Sequence, residues 1–352
     1  MSHPRLSLAL DAFDALPAEG RIAVFRPQAA TDLSDLPRER LHLIQGFKPD
    51  HDAWAARGYA VAPCAEGDYA AAVVFVPRAK AEARALLAEA AARVAPGGPI
   101  WVDGAKTDGV DSILKSLRER VEVSPPIAKA HGKIFAFAAG AEALADWAGA
   151  PMTPAPGFTT WPGVFSADAV DEGSALLAAC LPEKLPARVA DLGAGWGWLS
   201  AQVLGHSGVE ELHLIEAEHA ALDCARQNVT DPRAHFHWAD ATRFTPEERF
   251  GAIVMNPPFH TSREADPALG AAFIRAAGAM LSLSGTLWMV ANRHLPYDPV
   301  LAAAFHEIED ITPPGGIDRR FRVIRAARPV VGAASASPQA KPRRTRAPRP
   351  RR

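Results

Sequence analysis

The spacing of hydrophobic positions changes repeatedly along the second half of the chain. From residue 187 onward, short apolar runs alternate with segments in which apolar residues recur every three or four positions. The runs are typical of buried strands, and the wider spacing is typical of amphipathic helices. Such alternation predicts a parallel sheet flanked by helices. The predicted strands are ARVADLG, ELHLIEA, AHFHWAD, FGAIVMN and TLWMVAN, with closing strands around IEDIT and FRVIRAA.

Helical segments are predicted between these strands. They are LSAQVLGHSG, HAALDCARQNVT, PALGAAFIRAAGAMLSLSG and a segment near YDPVLAAAFHEI. In the third of them, one helical face collects Phe273, Ile274, Ala277, Met280 and Leu281. A stripe of this kind predicts that the helix packs against the sheet.

Residues 1 to about 145 repeat this pattern faintly. YAAAVVFVP, KAEARALLAEAAARVAPGG and PIWVDGA resemble the fourth strand, its helix and the fifth strand of the second half. The glycine-rich turn found in the second half has no counterpart after GRIAVF, and the proline segment here is VPRAK. Pro and Gly accumulate between 149 and 157, which predicts a linker.

Length and composition agree with two globular domains. The chain has 352 residues, of which 48% are hydrophobic and 22% charged. Asp11 and Asp14 interrupt the start before an apolar core of signal length develops, so a cytoplasmic protein without membrane spans is expected. Three widely spaced cysteines, Cys64, Cys180 and Cys224, form no metal-binding pattern, and we expect buried thiols and no metal.

Charge is distributed unevenly along the chain. Residues 331–352 hold seven basic residues and no acidic one, whereas the whole chain has a formal net charge of -2. The rest therefore carries an excess of about nine negative charges. The tail is rich in Pro, Ala, Ser and Arg and lacks apolar periodicity, so we expect a disordered basic arm. Its expected partner is nucleic acid, and a solubilising extension without a ligand is the alternative.

Candidate chemistry follows the ends of the predicted strands, where ligands bind in sheets of this type. The first strand leads into a glycine-rich turn, the second ends at Glu216, the third at Asp240, and the fourth at Asn256. The turn contains Asp191, Gly193, Gly195 and Gly197. It lets the backbone approach a ligand closely, while Glu216 is placed to accept hydrogen bonds from ribose hydroxyls.

Asn256 is followed by Pro257, Pro258, Phe259 and His260. Two adjacent prolines remove two backbone donors and restrict the main chain as it leaves the sheet. Taken alone, a glycine turn is shared by dehydrogenases, flavoproteins and methyltransferases. Asp240 would bind the cofactor next to its adenine ring, although taken alone this residue is more often a turn-forming one. A nicotinamide dehydrogenase would leave the Asn-Pro-Pro-Phe segment unexplained.

Together, DLGAGWG, IEAE, WAD and NPPF resemble the class I S-adenosylmethionine-dependent methyltransferases that modify planar amines. TTWPGVFSADAVDEGSALLAACLP and NPPFH...VANRHLPY resemble more closely the ribosomal RNA small-subunit guanine-N2 methyltransferases of the C type and their large-subunit relatives. This resemblance covers residues 155 to 328. It implies an α/β fold with two tandem Rossmann-like methyltransferase domains, the C-terminal one with a seven-stranded, mostly parallel sheet and the N-terminal copy degenerate.

The resemblance implies domain bounds as well. A degenerate domain, for RNA binding or structural support, would span residues 1–148, and a linker 149–157. A catalytic domain would span 158–330, followed by the basic tail.

The implied reaction is methyl transfer from S-adenosylmethionine to the N2 amine of a guanine, most simply in 16S ribosomal RNA. The N2 lone pair is delocalised into the ring, so acceptors must hold both N–H bonds. The Asn256 side-chain carbonyl and the Pro257 backbone carbonyl would supply them, and the prolines would keep them aimed. Phe259 would stack on a flipped base. His260 and Arg293 are candidates for contacts with base or phosphate. Phe165 would belong to the cofactor-side loop or to the core.

Alternatives remain at this stage. Other planar amines, namely a large-subunit guanine, a release-factor glutamine or adenine N6, are methylated by enzymes that share the Asn-Pro-Pro element. A ribosome-assembly factor that binds RNA without catalysis is a further class. For guanine-N2 methylation, the expected partner is ribosomal RNA or the small ribosomal subunit.

Overall fold

The computed structural model describes residues 4–12, 16–258 and 267–330. Two seven-stranded sheets, one in each half of the chain, organise this part of the protein. Strands of the first sheet precede residue 139, and strands of the second follow residue 187. The prediction of two tandem α/β domains is confirmed. The basic tail, 331–352, lies outside the described residues, and the linker at 149–157 stays a prediction.

The first sheet has the spatial order β3-β2-β1-β4-β5-β7-β6. Its neighbouring strands pair in parallel, except that β7 is antiparallel to β5 and β6. The strands are β1 (Ile22–Phe25), β2 (Leu41–Ile44), β3 (Val61–Ala62), β4 (Ala71–Phe75), β5 (Pro99–Ala105), β6 (Ile127–Lys129) and β7 (Gly132–Ala138). The α-helices of this half are α1 (Pro4–Ala12), α2 (Lys48–Ala56), α3 (Lys80–Arg93) and α4 (Val110–Arg118).

The second sheet repeats this order as β10-β9-β8-β11-β12-β14-β13. Here β14 is the antiparallel strand, paired with β12 and β13. The strands are β8 (Arg188–Leu192), β9 (Glu211–Glu216), β10 (Ala234–Trp238), β11 (Phe250–Met255), β12 (Leu281–Asn292), β13 (Phe305–Ile311) and β14 (Phe321–Pro329). The helices are α5 (Glu172–Cys180), α6 (Trp198–Leu204), α7 (His219–Asn228), α8 (Pro267–Met280) and α9 (Asp298–Ala304). The shared strand order confirms that the first half is a second copy of the fold.

Both faces of the central strands are buried, which explains their continuous apolar runs. In β1, Ile22 and Val24 pack into one core cluster, whereas Ala23 and Phe25 pack into another on the opposite face. Side chains alternate between faces of a strand, so a sheet covered by helices on both sides needs apolar residues at every position.

The sequence pattern placed two element boundaries wrongly. The helix predicted to continue to Gly285 ends at Met280, and β12 begins at Leu281. Likewise β13 begins at Phe305, earlier than predicted. Short apolar stretches such as LSLSG satisfy both spacings, and pairing with β11 decides the outcome here. The register of that pairing shifts between Phe250 and Ala252.

The structure also bears on the expected burial of the cysteines and on the expected absence of membrane spans. Only Cys224 is buried, whereas Cys180 is partly exposed and Cys64 exposed, so the expectation of three buried thiols was wrong. None of the helices in the described ranges is long and apolar enough to cross a membrane.

Candidate active site

The glycine-rich turn connects β8 to α6 at the carboxyl edge of the second sheet. Gly193, Gly195 and Gly197 have φ angles of 74°, 56° and 87°. Side chains disfavour this left-handed conformation. At Gly197 a Cβ atom would also lie 2.9 Å from Val229 Cγ2. Both observations explain why glycine is needed, and the result is a backbone loop without side chains at its tightest points.

Glu216 is the last residue of β9, and its carboxylate accepts hydrogen bonds from the backbone of the turn. Its Oε2 accepts a hydrogen bond from the Gly195 N–H at 2.8 Å, and its Oε1 accepts one from the Glu218 N–H at 2.7 Å. Burial raises the pKa of the Glu216 carboxyl, and these backbone donors oppose that shift. Each carboxylate oxygen has a second lone pair. Glu216 therefore retains acceptor capacity for a ligand in the turn.

Asp191 is the last polar side chain of β8 and is 1% exposed. Its Oδ2 accepts a hydrogen bond from Ser200 Oγ at 2.7 Å. Burial raises the pKa of the Asp191 carboxyl to about 7, against the effect of the Ser200 hydroxyl. An acid in this state is stabilised in its charged form by a nearby cation.

Asn256 follows β11 and is oriented by α5. Its Nδ2 donates to Asp171 Oδ1 at 2.7 Å and to Ser174 Oγ at 3.0 Å. Asp171 is also the N-cap of α5, because the same Oδ1 accepts from the Ser174 N–H at 2.8 Å. With its NH2 group committed to these partners, Asn256 has its side-chain oxygen left to accept a hydrogen bond from a ligand. Pro257 is buried and Pro258 exposed.

These strand ends border one cavity of about 50 Å³. Asp191, Gly195 and Asn256 line it together with Phe165 and Trp196. Phe165 is 58% exposed, and its backbone oxygen accepts a hydrogen bond from Trp196 Nε1 at 3.0 Å. Phe165 therefore lies at the rim rather than in the core. Asp191 in the cavity and Glu216 behind the turn both carry carboxylates, which are acceptors that suit a ligand with a cationic centre and hydroxyl groups.

Two family models match the chain. The methyltransferase small domain matches residues 156–324, and the methyltransferase small domain N-terminal region matches residues 42–133. Among the curated relatives, a ribosomal RNA small subunit methyltransferase C from Shewanella loihica is 30% identical over 249 residues. These residues make up 68% of this chain and 72% of the relative. The chain therefore belongs to the ribosomal RNA small subunit methyltransferase C family.

Another family member, from Shewanella amazonensis, is 30% identical over 250 residues, which are 68% of this chain and 73% of that protein. A solved structure of a T. thermophilus 16S rRNA N2 methyltransferase in complex with AdoMet and guanosine shares the fold. It has a TM-score of 0.73 and 23% identity, and the match covers 92% of each chain. The predicted resemblance is thereby confirmed, and the likeness extends through both halves of the molecule.

Within the small subunit methyltransferase C fold, the predicted site residues fall into three groups. Asp191, Gly193, Gly195 and Asn256 line the cavity, with Gly197 farther along the turn and Glu216 hydrogen-bonded to the Gly195 N–H. Asp240 lies outside it, and its Oδ1 accepts from the Thr242 N–H at 2.8 Å. Arg293 is exposed after β12, where its Nε donates to the Asp318 backbone oxygen at 2.7 Å. Phe259 and His260 lie outside the described residues, so their roles stay predictions.

Sequence reasoning missed two residues of this site, Asp171 and Ser174. The run AVDEGS contains a helix N-cap signal, in which a short acid precedes a helix and a residue three positions later donates to it. That signal predicts the start of α5 and says nothing about Asn256. The contact with Asn256 depends on how α5 packs beside β11.

A group of possible metal ligands lies at the opposite edge of the same sheet. Ligand atoms of Glu211, His213 and His235 lie within 4.8 Å of one another. The register pairs His213 with His235 across β9 and β10, which no spacing within one segment reveals. Arg188 Nη1 already contacts Glu211 Oε2 at 2.8 Å. Burial lowers the pKa of His213 to about 4, so this imidazole is uncharged near neutral pH.

Proposed function

We propose that this chain transfers a methyl group from S-adenosylmethionine to the exocyclic N2 amine of a guanine in small-subunit ribosomal RNA. Family membership supports the reaction class and the RNA substrate. The observation that carries the proposal is the orientation of Asn256. Because Asp171 accepts from its NH2 group, the amide presents an acceptor, and an exocyclic amine needs an acceptor.

The cofactor is assigned to the cavity beside the glycine turn. Asp191 would lie nearest the cationic end, and Glu216 would accept hydrogen bonds from the ribose hydroxyls. When bound, S-adenosylmethionine supplies a methyl group already activated by its sulfonium. The residues of this chain bind, orient and shield the reactants, and no strong base is required of them.

Asn256 and the Pro257 carbonyl act on the amine. Two acceptors that hold both N–H bonds localise the nitrogen lone pair toward the methyl group. As the N–C bond formed and the bond between sulfur and the methyl group broke, releasing uncharged S-adenosylhomocysteine, positive charge would develop on nitrogen and the same acceptors would stabilise it. A proton then leaves the nitrogen for solvent. The proline pair contributes by restricting the main chain, so that the carbonyls need not reorganise during the reaction.

RNA contact is assigned to three further parts of the chain. The predicted base-stacking residue is Phe259, and Arg293 is exposed after β12. The seven basic residues of the tail would add affinity through phosphate contacts and counterion release. We place the protein in the cytoplasm, where ribosomal RNA is available.

Nucleoside analysis tests the proposal. Purified protein, labelled S-adenosylmethionine and small ribosomal subunits from cells lacking this gene should yield N2-methylguanosine in the digested 16S RNA. The expected product is about one methyl group per subunit at a single position, because pockets that take one extruded base act site by site. Label in N6-methyladenosine, in large-subunit RNA or in protein glutamine would favour one of the alternative planar amines. Cofactor binding without transfer to any of these would favour an assembly factor.

A further inference from the structure

The segment after β9 is held by the first half of the chain. The Lys48 N–H donates to the Ala217 oxygen at 2.8 Å, and the His219 N–H donates to the Gly46 oxygen at 2.9 Å. Ala217 and His219, on either side of Glu218, are thus hydrogen-bonded to the first half, and Glu218 lies opposite Phe47 in this short antiparallel bridge. This contact lies directly beside the proposed cofactor turn.

Arg26 strengthens this contact by binding the side chain of Glu218, which lies between Ala217 and His219. Its Nη1 and Nη2 each lie 3.0 Å from one oxygen of Glu218, and its Nε lies 3.2 Å from Glu82 Oε1. Burial acts to lower the pKa of Arg26, but the Glu218 and Glu82 carboxylates raise it above its ordinary value. A bidentate pair of this kind fixes orientation as well as distance. Glu218 is therefore held in one position by a residue from the other sheet.

The backbone around Arg26 is adapted to this contact. Arg26 has a φ of 58°, which is uncommon for a residue with a side chain. At Gly46, a Cβ atom would lie 2.7 Å from Glu218 Oε1. The first sheet therefore both directs the guanidinium and leaves room for the carboxylate that it binds.

Glu218 transmits this placement to Glu216. Its backbone N–H donates to Glu216 Oε1 at 2.7 Å, while the Gly195 N–H donates to Glu216 Oε2 at 2.8 Å. These two donors define the plane of the Glu216 carboxylate. Losing the one from Glu218 would remove the 2.7 Å donor to Oε1 and leave the backbone of Gly195 and Ala217 as partners of the carboxylate.

We propose that Arg26 is a positioning residue for the cofactor's ribose, which acts by fixing Glu218 so that the Glu218 N–H aims the Glu216 carboxylate at the ribose hydroxyls. This proposal rests on the proposed function. It assigns the degenerate half a defined part in cofactor recognition, beyond general support of the fold. Arg26 itself contacts neither cofactor nor RNA in this account.

The test is a comparison of two ligands, S-adenosylhomocysteine and its 2′-deoxy analogue, measured by calorimetry on the full chain. The ratio of their affinities reports the hydrogen bond to the ribose, whereas a general loosening of the fold weakens both ligands alike. We expect the unaltered protein to prefer the ribose form by about tenfold or more. Arg26→Gln should reduce this ratio by roughly fivefold. Glu218→Gln keeps the backbone N–H but loses the ion pair, and should reduce it less.

Arg120→Gln is the matched control. It removes another bidentate arginine pair, with Asp146, at 2.6 and 2.8 Å, from a surface of the first half. Its ratio should equal that of the unaltered protein. If Arg26→Gln does not fold, the affinity ratio measured for Glu218→Gln tests the proposal by itself.

One result would overturn the proposal while leaving the methyltransferase function intact. It is an unchanged affinity ratio in both Arg26→Gln and Glu218→Gln, whether both affinities stay the same or fall by the same factor. Failure of the unaltered protein to bind either ligand would overturn the proposed function itself, and the inference with it.

Discussion

The amide nitrogen of Asn256 donates to Asp171 Oδ1 at 2.7 Å, which joins the end of β11 to the N-cap of α5. A carboxylate only accepts hydrogen bonds, so this contact decides which end of the Asn256 amide faces the cavity. Asp171 thereby performs two tasks, since it also begins α5. The orientation of the proposed amine acceptor is built into the packing of a neighbouring helix.

Replacing Asp171 should therefore impair catalysis more than cofactor binding. Asp171→Ala removes the acceptor that orients Asn256, and we expect kcat to fall by about tenfold or more, with a small change in cofactor affinity. Loss of the N-cap should also lower stability by about 1 kcal/mol. Steady-state kinetics and thermal unfolding separate the two effects. Glu172→Ala, on the next residue of the same helix, should keep kcat, and an equal loss there would contradict the orienting role.

Asn256→Ala tests the acceptor itself. The variant should bind S-adenosylmethionine normally but transfer methyl groups on the order of 100-fold more slowly, because the acceptor acts mainly as charge develops on nitrogen. Single-turnover kinetics with saturating cofactor measure this step. Asn292→Ala, at the end of the neighbouring strand β12, is the matched control. Unchanged transfer by Asn256→Ala would end the assignment.

Cofactor affinity should depend on pH through Asp191. Burial raises its pKa from 3.8 to about 7, so the carboxyl is partly protonated near neutrality. A cationic ligand favours the ionised form, and affinity for S-adenosylmethionine should rise as pH increases through about 7 and then level off. S-adenosylhomocysteine lacks the sulfonium and should show a shallower dependence. Equal pH profiles for the two ligands would exclude Asp191 as the group facing the sulfonium, because both ligands carry the α-ammonium.

The raised pKa of Asp191 also makes the stability of the fold depend on pH, in a direction that can be stated. The folded protein holds the Asp191 proton more tightly than the unfolded chain, so this group's contribution to stability declines as pH rises from about 4 to about 7. Ser200→Ala removes the hydroxyl that favours the ionised form. It should move the midpoint of the affinity profile to higher pH, which calorimetry at several pH values would detect.

The tail should contribute to RNA affinity but not to chemistry. Deleting residues 333–352 removes all seven basic residues of the tail. RNA binding should weaken, and the slope of log affinity against log salt should become flatter, because fewer counterions are released. Methyl transfer at saturating RNA should persist. Identical salt slopes for the full and shortened chains would show that the tail does not touch RNA.

Gly197→Ala tests the need for glycine in the turn. A φ of 87° and a Cβ contact of 2.9 Å with Val229 Cγ2 both oppose a side chain there. We expect a loss of about 1–3 kcal/mol in the free energy of unfolding, seen as a lower melting temperature. Gly315→Ala has open space for its Cβ and should change the melting temperature little. Equal effects at both positions would contradict the steric argument.

Much of the fold was predictable because burial and unusual backbone conformation each restrict which residue types can occupy consecutive positions of the sequence. Strands covered on both faces appear as unbroken apolar runs, and the glycines at 193, 195 and 197 occupy a backbone region that few other residues adopt. The predictions that failed concerned the boundaries of single elements. LSLSG fits a helix as well as a strand, and only pairing with β11 made it part of β12.

By itself, the sequence determined the two α/β halves, the glycine turn beneath the cofactor cavity and the Asn-Pro-Pro segment after β11, since each is encoded within a few consecutive residues. Tertiary structure alone decided the partners of the polar groups. Asp171 orients Asn256 from 85 positions away, and Arg26 holds Glu218 from 192 positions away. A polar side chain must be paired when it is buried, but which group pairs with it depends on the packing of distant elements, and no local pattern records that choice.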